Sequence, residues 1–208
     1  MTLPRLYVVL DGDVAARHGW TLDALAEACL AGGARLLQIR VKHGPSRDLL
    51  AVSERLVEAG ARAGALVVVN DRPDIARLAG AWGLHLGQDD LPVAAARAVA
   101  GESMAIGLST HTPAQVAAAR REAIKYLAVG PIYGTATKDT GYRAVGLDFV
   151  RAASETGGLP VVAIGGITLD RAREVIDAGA AAVAVITDLL TGGDPRRRVE
   201  AFVAALGA

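Results

Sequence analysis

The stretch Pro160-Val161-Val162-Ala163-Ile164-Gly165-Gly166-Ile167-Thr168-Leu169 decides the fold. Its first half has no polar side chain, and so reads as a strand buried on both faces. That is the mark of a parallel sheet. A glycine pair ends it, and an amphipathic helical pattern over 169–178 follows. Outward from here the same unit recurs. Short Val/Ile/Leu runs stand at 6–10, 36–41, 65–69, 83–86, 104–108, 126–129, 160–164 and 182–186. Helical patterns lie at 22–31, 48–63, 93–100, 113–121, 148–155, 169–178 and 195–206. Thr112-Pro113 and Asp194-Pro195 each set an N-cap residue before a proline suited to the first helical position. Gly32-Gly33, Gly60 and Gly179 are expected to end helices with left-handed caps. Eight units in 208 residues give 208/8 = 26 residues each. This predicts one α/β domain over 1–208, a single (β/α)8 TIM barrel. The rival, an open doubly wound sheet, ordinarily has about five or six strands. No linker, low-complexity segment or second domain is visible.

Composition agrees. Hydrophobic residues make up 52% of the chain and aromatics 4%, so the apolar mass is Ala, Val, Leu and Ile. Small helices packed over Val-rich strands need that mixture. Lys+Arg and Asp+Glu both number 22, which gives no electrostatic footprint for nucleic acid. Cys29 is the single cysteine; it falls in an apolar helical pattern and is expected in the core. With no signal-like start and no apolar run of about 18 residues, neither export nor membrane insertion is expected. A reducing, cytoplasmic setting is expected.

The polar residues are informative through their position. They collect where strands end, the face on which TIM barrels keep their active sites. Gln38, Arg40 and Lys42 alternate to one side of the second strand. The following strands end in Asn70-Asp71, Gln88-Asp89-Asp90, Ser109-Thr110-His111, Gly134-Thr135-Ala136-Thr137-Lys138, Gly165-Gly166 and Ile186-Thr187. Each group alone has a structural reading as a turn, a cap or a rim salt bridge. His85 reads as a packed histidine, and Asp11, His18 and His43 as structural. Seven strands of eight ending this way is a pattern that stability does not require. Glycines and hydroxyls after the last strands suit a phosphate. Arg40 and Lys42 form a second cationic pole. Asp71 and Asp90, on adjacent strands, suit Mg²⁺ shared with a substrate phosphate. Two anion poles imply two phosphorylated small molecules.

These segments, in order, resemble the motifs of the thiamine phosphate synthase family: 38–42, 69–71, 83–90, 107–112, 130–138 and 163–167. The resemblance spans nearly the whole chain. It implies a transferase of thiamine biosynthesis that joins an aminopyrimidine methyl diphosphate to a thiazole phosphate, releasing diphosphate. It implies that Gln38, Ile39, Arg40, Val41, Lys42, Asn70, Ser109 and Lys138 hold the pyrimidine diphosphate. Arg40, Lys42, Ser109 and Lys138 would act nearest the chemistry. Asp71 and Asp90 would hold Mg²⁺. Thr135, Ala136, Thr137, Gly166, Ile186 and Thr187 would hold the thiazole phosphate. Three positions depart from the family's habit. Val41 and Lys125 stand where acidic residues are usual, and Arg72 adds charge beside Asp71. Val41 is expected to point away from the site.

Two other enzymes and a binding protein are weighed against this. A related thiazole tautomerase carries a catalytic histidine where this chain has Pro131, and tends to lose metal ligands. A phosphosugar isomerase or aldolase needs a base or Schiff-base lysine inside the barrel. A non-catalytic phosphate-binding regulator would use the same residues. The segments 43–46 and 138–145 are candidate closing loops. Arg196-Arg197-Arg198 reads as a solvated helix start, poorly placed for the helix dipole. Oligomeric state has no signature in the sequence.

Overall fold

A computed structural model describes residues 2–134, 142–156 and 158–207. In chain order its elements are β1 (Leu6–Asp11), α1 (Gly12–Arg17), α2 (Leu22–Ala31), β2 (Leu36–Arg40), α3 (Ser46–Ala63), β3 (Leu66–Asn70), α4 (Pro73–Leu78) and β4 (Gly83–Leu86). Then come α5 (Val93–Ala100), β5 (Ala105–Thr110), α6 (Pro113–Ala119), β6 (Tyr126–Val129), α7 (Gly146–Glu155) and β7 (Val161–Ile164). The chain continues through α8 (Leu169–Asp177), β8 (Ala182–Val185), a 3₁₀ turn (Thr187–Leu190) and α9 (Pro195–Leu206). All eight strands are parallel and pair in sequence order, and β8 closes onto β1. The expected barrel is the observed one, and the open sheet is excluded.

Alternation along each strand divides the core in two. Leu6, Val8 and Leu10 of β1 face outward and pack with Leu25 and Cys29 of α2 and Phe202 of α9. Cys29 is buried there as expected, and burial pushes its thiol up to about 12. Tyr7, Val9, Leu36, Val68, Tyr126, Ala128, Val162, Ala182 and Ala184 form the smaller inner core. Tyr7 and Tyr126 cross the barrel and meet edge to face, with ring centroids 6.0 Å apart. A ring that large needs a vacancy beside it. Gly107 of β5 supplies it, since a Cβ there would lie 2.0 Å from the Tyr126 ring. Gly107→Ala is therefore expected to destabilise the fold by about 1–3 kcal/mol or more through overpacking. Urea unfolding measures this; an unchanged midpoint would show that the Tyr126 ring has room to move.

Some local expectations need correction. Gly60 does not end a helix: α3 runs through it, and Gly64 provides the left-handed cap at φ 66°. Gly60 is glycine because a Cβ would meet the Val67 side chain at 2.6 Å, where α3 presses on β3. Gly32 caps α2 in a right-handed conformation, and Gly33 makes the left-handed turn. Three short elements, α1, α4 and the 3₁₀ turn, had no periodicity to announce them, being only 6, 6 and 4 residues long. The two Pro-preceding caps behave as expected. Thr112 accepts from the Gln115 amide and Asp194 from the Arg197 amide. Among the described residues no helix is long and apolar enough to cross a membrane.

Candidate active site

The carboxyl ends of the strands surround a cavity of about 480 Å³. Its walls come from the inward-facing positions: Val9, Gln38, Arg40, Asn70, His85, Ser109, Ile164, Ala184 and Ile186. The alternation that made the inner core thus continues upward and turns polar at the rim. Ile39 and Val41, flanking Arg40, face the outer core, so their side chains do not line the cavity.

The first pole is built on β1–β4. Arg40 pairs with Asp11, its register partner on β1. Asp11 is buried, and its other oxygen accepts from the Val14 amide at the start of α1. Asp11 is therefore more than a helix cap, because it also aims Arg40. Lys42 pairs with Asp71. Asp71 is the one non-glycine residue at positive φ (63°) among the described residues. Its amide donates to the His85 carbonyl at 2.8 Å, which fixes the turn after β3. Asp90 accepts from the Gly87 amide at 2.6 Å. Burial, a hydrogen bond with Asp71 and that residue's charge hold the Asp90 carboxyl above the ordinary range, opposed by the Gly87 amide and Lys42. A neighbouring carboxylate makes the ionised form of Asp90 more costly. A hard divalent cation would relieve that repulsion, and the oxygen donors of Asp71 and Asp90 are of the kind that could hold Mg²⁺. Among the described residues no third His, Cys, Asp or Glu joins them.

Arg72 is turned away from this pole, toward Asp74 and Ser46. Lys125 precedes β6, at the opposite end of the barrel from the cavity. His18 bonds its own helix at the Val14 carbonyl, and His43 is exposed.

The second pole lies beyond β7 and β8. Gly165, Gly166, Ile167, Thr168 and Arg171 line it with Ile186, Thr187, Asp188 and Thr191. The glycines are demanded by closeness. A Cβ on Gly165 would lie 2.6 Å from Pro131, and one on Gly166 2.6 Å from the Gly134 carbonyl oxygen. Both have positive φ. Arg171 lies over the Tyr133 ring at 4.6 Å. Asp188 accepts from the Leu169 amide at 3.0 Å and from Arg198 at 2.7 Å. Arg198 is thus not solvated as its run suggested; it ties α9 to the rim. Arg196 and Arg197 do stay at the surface, paired with Glu200 and Asp194. Thr135, Ala136, Thr137 and Lys138 lie outside the described residues, as does part of the 138–145 segment.

Gln38, Arg40, Asn70, Ser109, Gly166, Ile186 and Thr187 are brought into one cavity; Lys42, Asp71 and Asp90 are interlinked with one another but are not among its lining residues. Sequence reading missed Arg171 and Asp188 as cavity residues, and gave no role to His111, which it did place at the end of the fifth strand. His111 bonds the Gly130 carbonyl at 2.6 Å and stacks on Tyr142 at 4.2 Å. His85, expected merely to be packed, also lines the cavity. Its inward parity with Gln38 and Ser109 was the available signal.

The sequence profile of the family described as thiamine monophosphate synthase matches residues 6–189. A thiamine-phosphate synthase of Koribacter versatilis is 44% identical over 208 residues, covering 99% of this chain and 97% of the relative. One from Mycobacterium tuberculosis is 46% identical over 215 residues, covering 98% and 95%. The solved thiamine phosphate pyrophosphorylase of Pyrococcus furiosus superimposes with a TM-score of 0.88 at 30% identity, covering 98% of this chain and 95% of that one.

Proposed function

The chain belongs to the thiamine monophosphate synthase family and is a transferase forming thiamine phosphate, and we propose that the two poles of its cavity divide the two substrates between them. The pyrimidine methyl diphosphate takes the Arg40 side, with Gln38, Lys42, Asn70, Ser109 and Lys138 as its ligands. The thiazole phosphate takes the Gly166 side, with Thr135, Thr137, Ile186 and Thr187. The observation that carries this is the junction of the poles. The Gln38 and Asn70 amides, the Arg40 guanidinium and the Ser109 hydroxyl, from β2, β3 and β5, face the glycine turn after β7 and the Ile186-Thr187 turn after β8 across a single cavity.

The bond from the pyrimidine methylene to oxygen breaks, and its electron pair leaves with the diphosphate. The thiazole nitrogen lone pair then forms the new carbon–nitrogen bond. Arg40, Lys42 and Ser109 donate to the departing oxygens, whose charge grows as the bond breaks. Val9, Ile164 and Ala184 give the transient cation apolar walls that exclude water. No side chain needs to form a covalent bond. Mg²⁺ held by Asp71 and Asp90 would supply charge neutralisation for the diphosphate. Pro131, which carries no proton-transferring group, and the Asp71–Asp90 pair favour this reaction over thiazole tautomerisation. The lone buried thiol fits a reducing cytoplasm.

The test is direct. Purified protein is incubated with both substrates and Mg²⁺, and thiamine phosphate and diphosphate are quantified. Equal amounts of both are expected. A folded protein that makes neither overturns the assignment.

A further inference from the structure

Five polar side chains from five strands form a hydrogen-bonded line, in which Gln38, His85 and Ser109 line the cavity and Tyr7 and Tyr126 lie buried between them. The Gln38 amide donates to the Tyr7 hydroxyl at 2.8 Å. The Tyr7 and Tyr126 hydroxyls lie 2.9 Å apart. The Tyr126 hydroxyl lies 3.0 Å from His85 Nδ1, and His85 Nε2 lies 2.9 Å from Ser109 Oγ. Tyr7 and Tyr126 are fully buried. Burial pushes both phenols well above the ordinary phenol value, so both keep their protons.

Each buried hydroxyl has one proton to place. Tyr7 already receives the Gln38 amide proton, so its own goes to Tyr126. The Tyr126 proton then goes to His85 Nδ1. A neutral imidazole accepting at Nδ1 carries its proton on Nε2, which therefore donates to Ser109 Oγ. The Ser109 hydroxyl proton is left to point into the cavity.

We infer that Tyr7, Tyr126 and His85 are positioning residues, forming a one-way hydrogen-bond chain that fixes Ser109 as a donor to the substrate. This rests on the proposed role of Gln38 and Ser109 as pyrimidine diphosphate ligands. The two ends of the chain are then two contacts to one substrate, set in mutual register from below. Hydrogen bonds aligned head to tail also polarise one another, so the Ser109 proton is a stronger donor than that of an isolated serine. Gly107 belongs to the same device. It lies between His85 and Tyr126 in the sheet register and makes room for the Tyr126 ring.

Tyr126→Phe and Tyr7→Phe keep the rings and remove one link each. Either is expected to lower kcat about tenfold while the KM for thiazole phosphate stays within about twofold. In a Ser109→Ala background Tyr126→Phe is expected to cost nothing further, since it acts through Ser109, whereas Tyr7→Phe keeps the part of its loss that comes from releasing Gln38. Nitrogen-15 NMR of the wild-type His85 ring is expected to show Nε2 protonated and Nδ1 bare, with this preference lost in Tyr126→Phe. An additive loss from Tyr126→Phe alongside an impaired Ser109→Ala, or an Nδ1-protonated ring in the wild type, overturns the chain alone. Unchanged turnover in Ser109→Ala instead overturns the ligand role of Ser109, and the positioning role with it.

Discussion

Arg40→Ala is expected to lower turnover on the order of 10²–10³-fold and to cost about 3–5 kcal/mol of stability. The two losses have different origins. The first is the guanidinium that would meet the leaving diphosphate, a planar fork that a point charge does not replace. The second is Asp11, 3% exposed, which would be left as a buried carboxylate facing no cation. The paired replacement Asp11→Asn with Arg40→Met separates them. Asparagine retains the acceptor that caps α1 and removes the stranded charge. Urea unfolding should then return most of the way to wild type while product formation stays low. If activity recovers together with stability, Arg40 is a structural residue and the diphosphate site lies elsewhere.

Asp71→Asn is expected to lower turnover by on the order of 10²–10³-fold and to abolish calorimetric Mg²⁺ binding. Asparagine is the informative replacement because it tolerates the left-handed backbone that Asp71 adopts, at φ 63°. Alanine there would add about 1–2 kcal/mol of strain unrelated to the metal. The thiazole phosphate, bound at the far pole, should keep its affinity in titrations. Equal loss of thiazole phosphate and Mg²⁺ binding would mean that Asp71 holds the whole rim together, and would sink its assignment as a metal ligand.

Much of this is legible in the sequence. Strand parity placed Gln38, Arg40 and Lys42 on one side of the second strand, because alternation is a local property of the chain, and position at a strand end marked Asn70 and Ser109. Gly165 and Gly166, at the end of the seventh strand, marked the second pole by their position. Pairings across the barrel were not legible. Arg40 with Asp11 depends on the register of β1 against β2, and Tyr7 with Tyr126 joins residues 119 apart in sequence. Arg198 looked solvated because its two neighbours are; only the packing of α9 shows it bound to Asp188. The helices α1 and α4 escaped notice because fewer than two turns carry no measurable period.

The tyrosine pair across the barrel acts as a partition. Leu36, Val68, Val162 and Ala182 share the inner core with it, and none of them lines the cavity. Above it, inward positions line the cavity. Mutational tolerance should therefore follow the barrel axis. The lower half can drift among apolar residues of similar volume, while the upper half can be recast for new ligands without unsettling the foundation on which it stands.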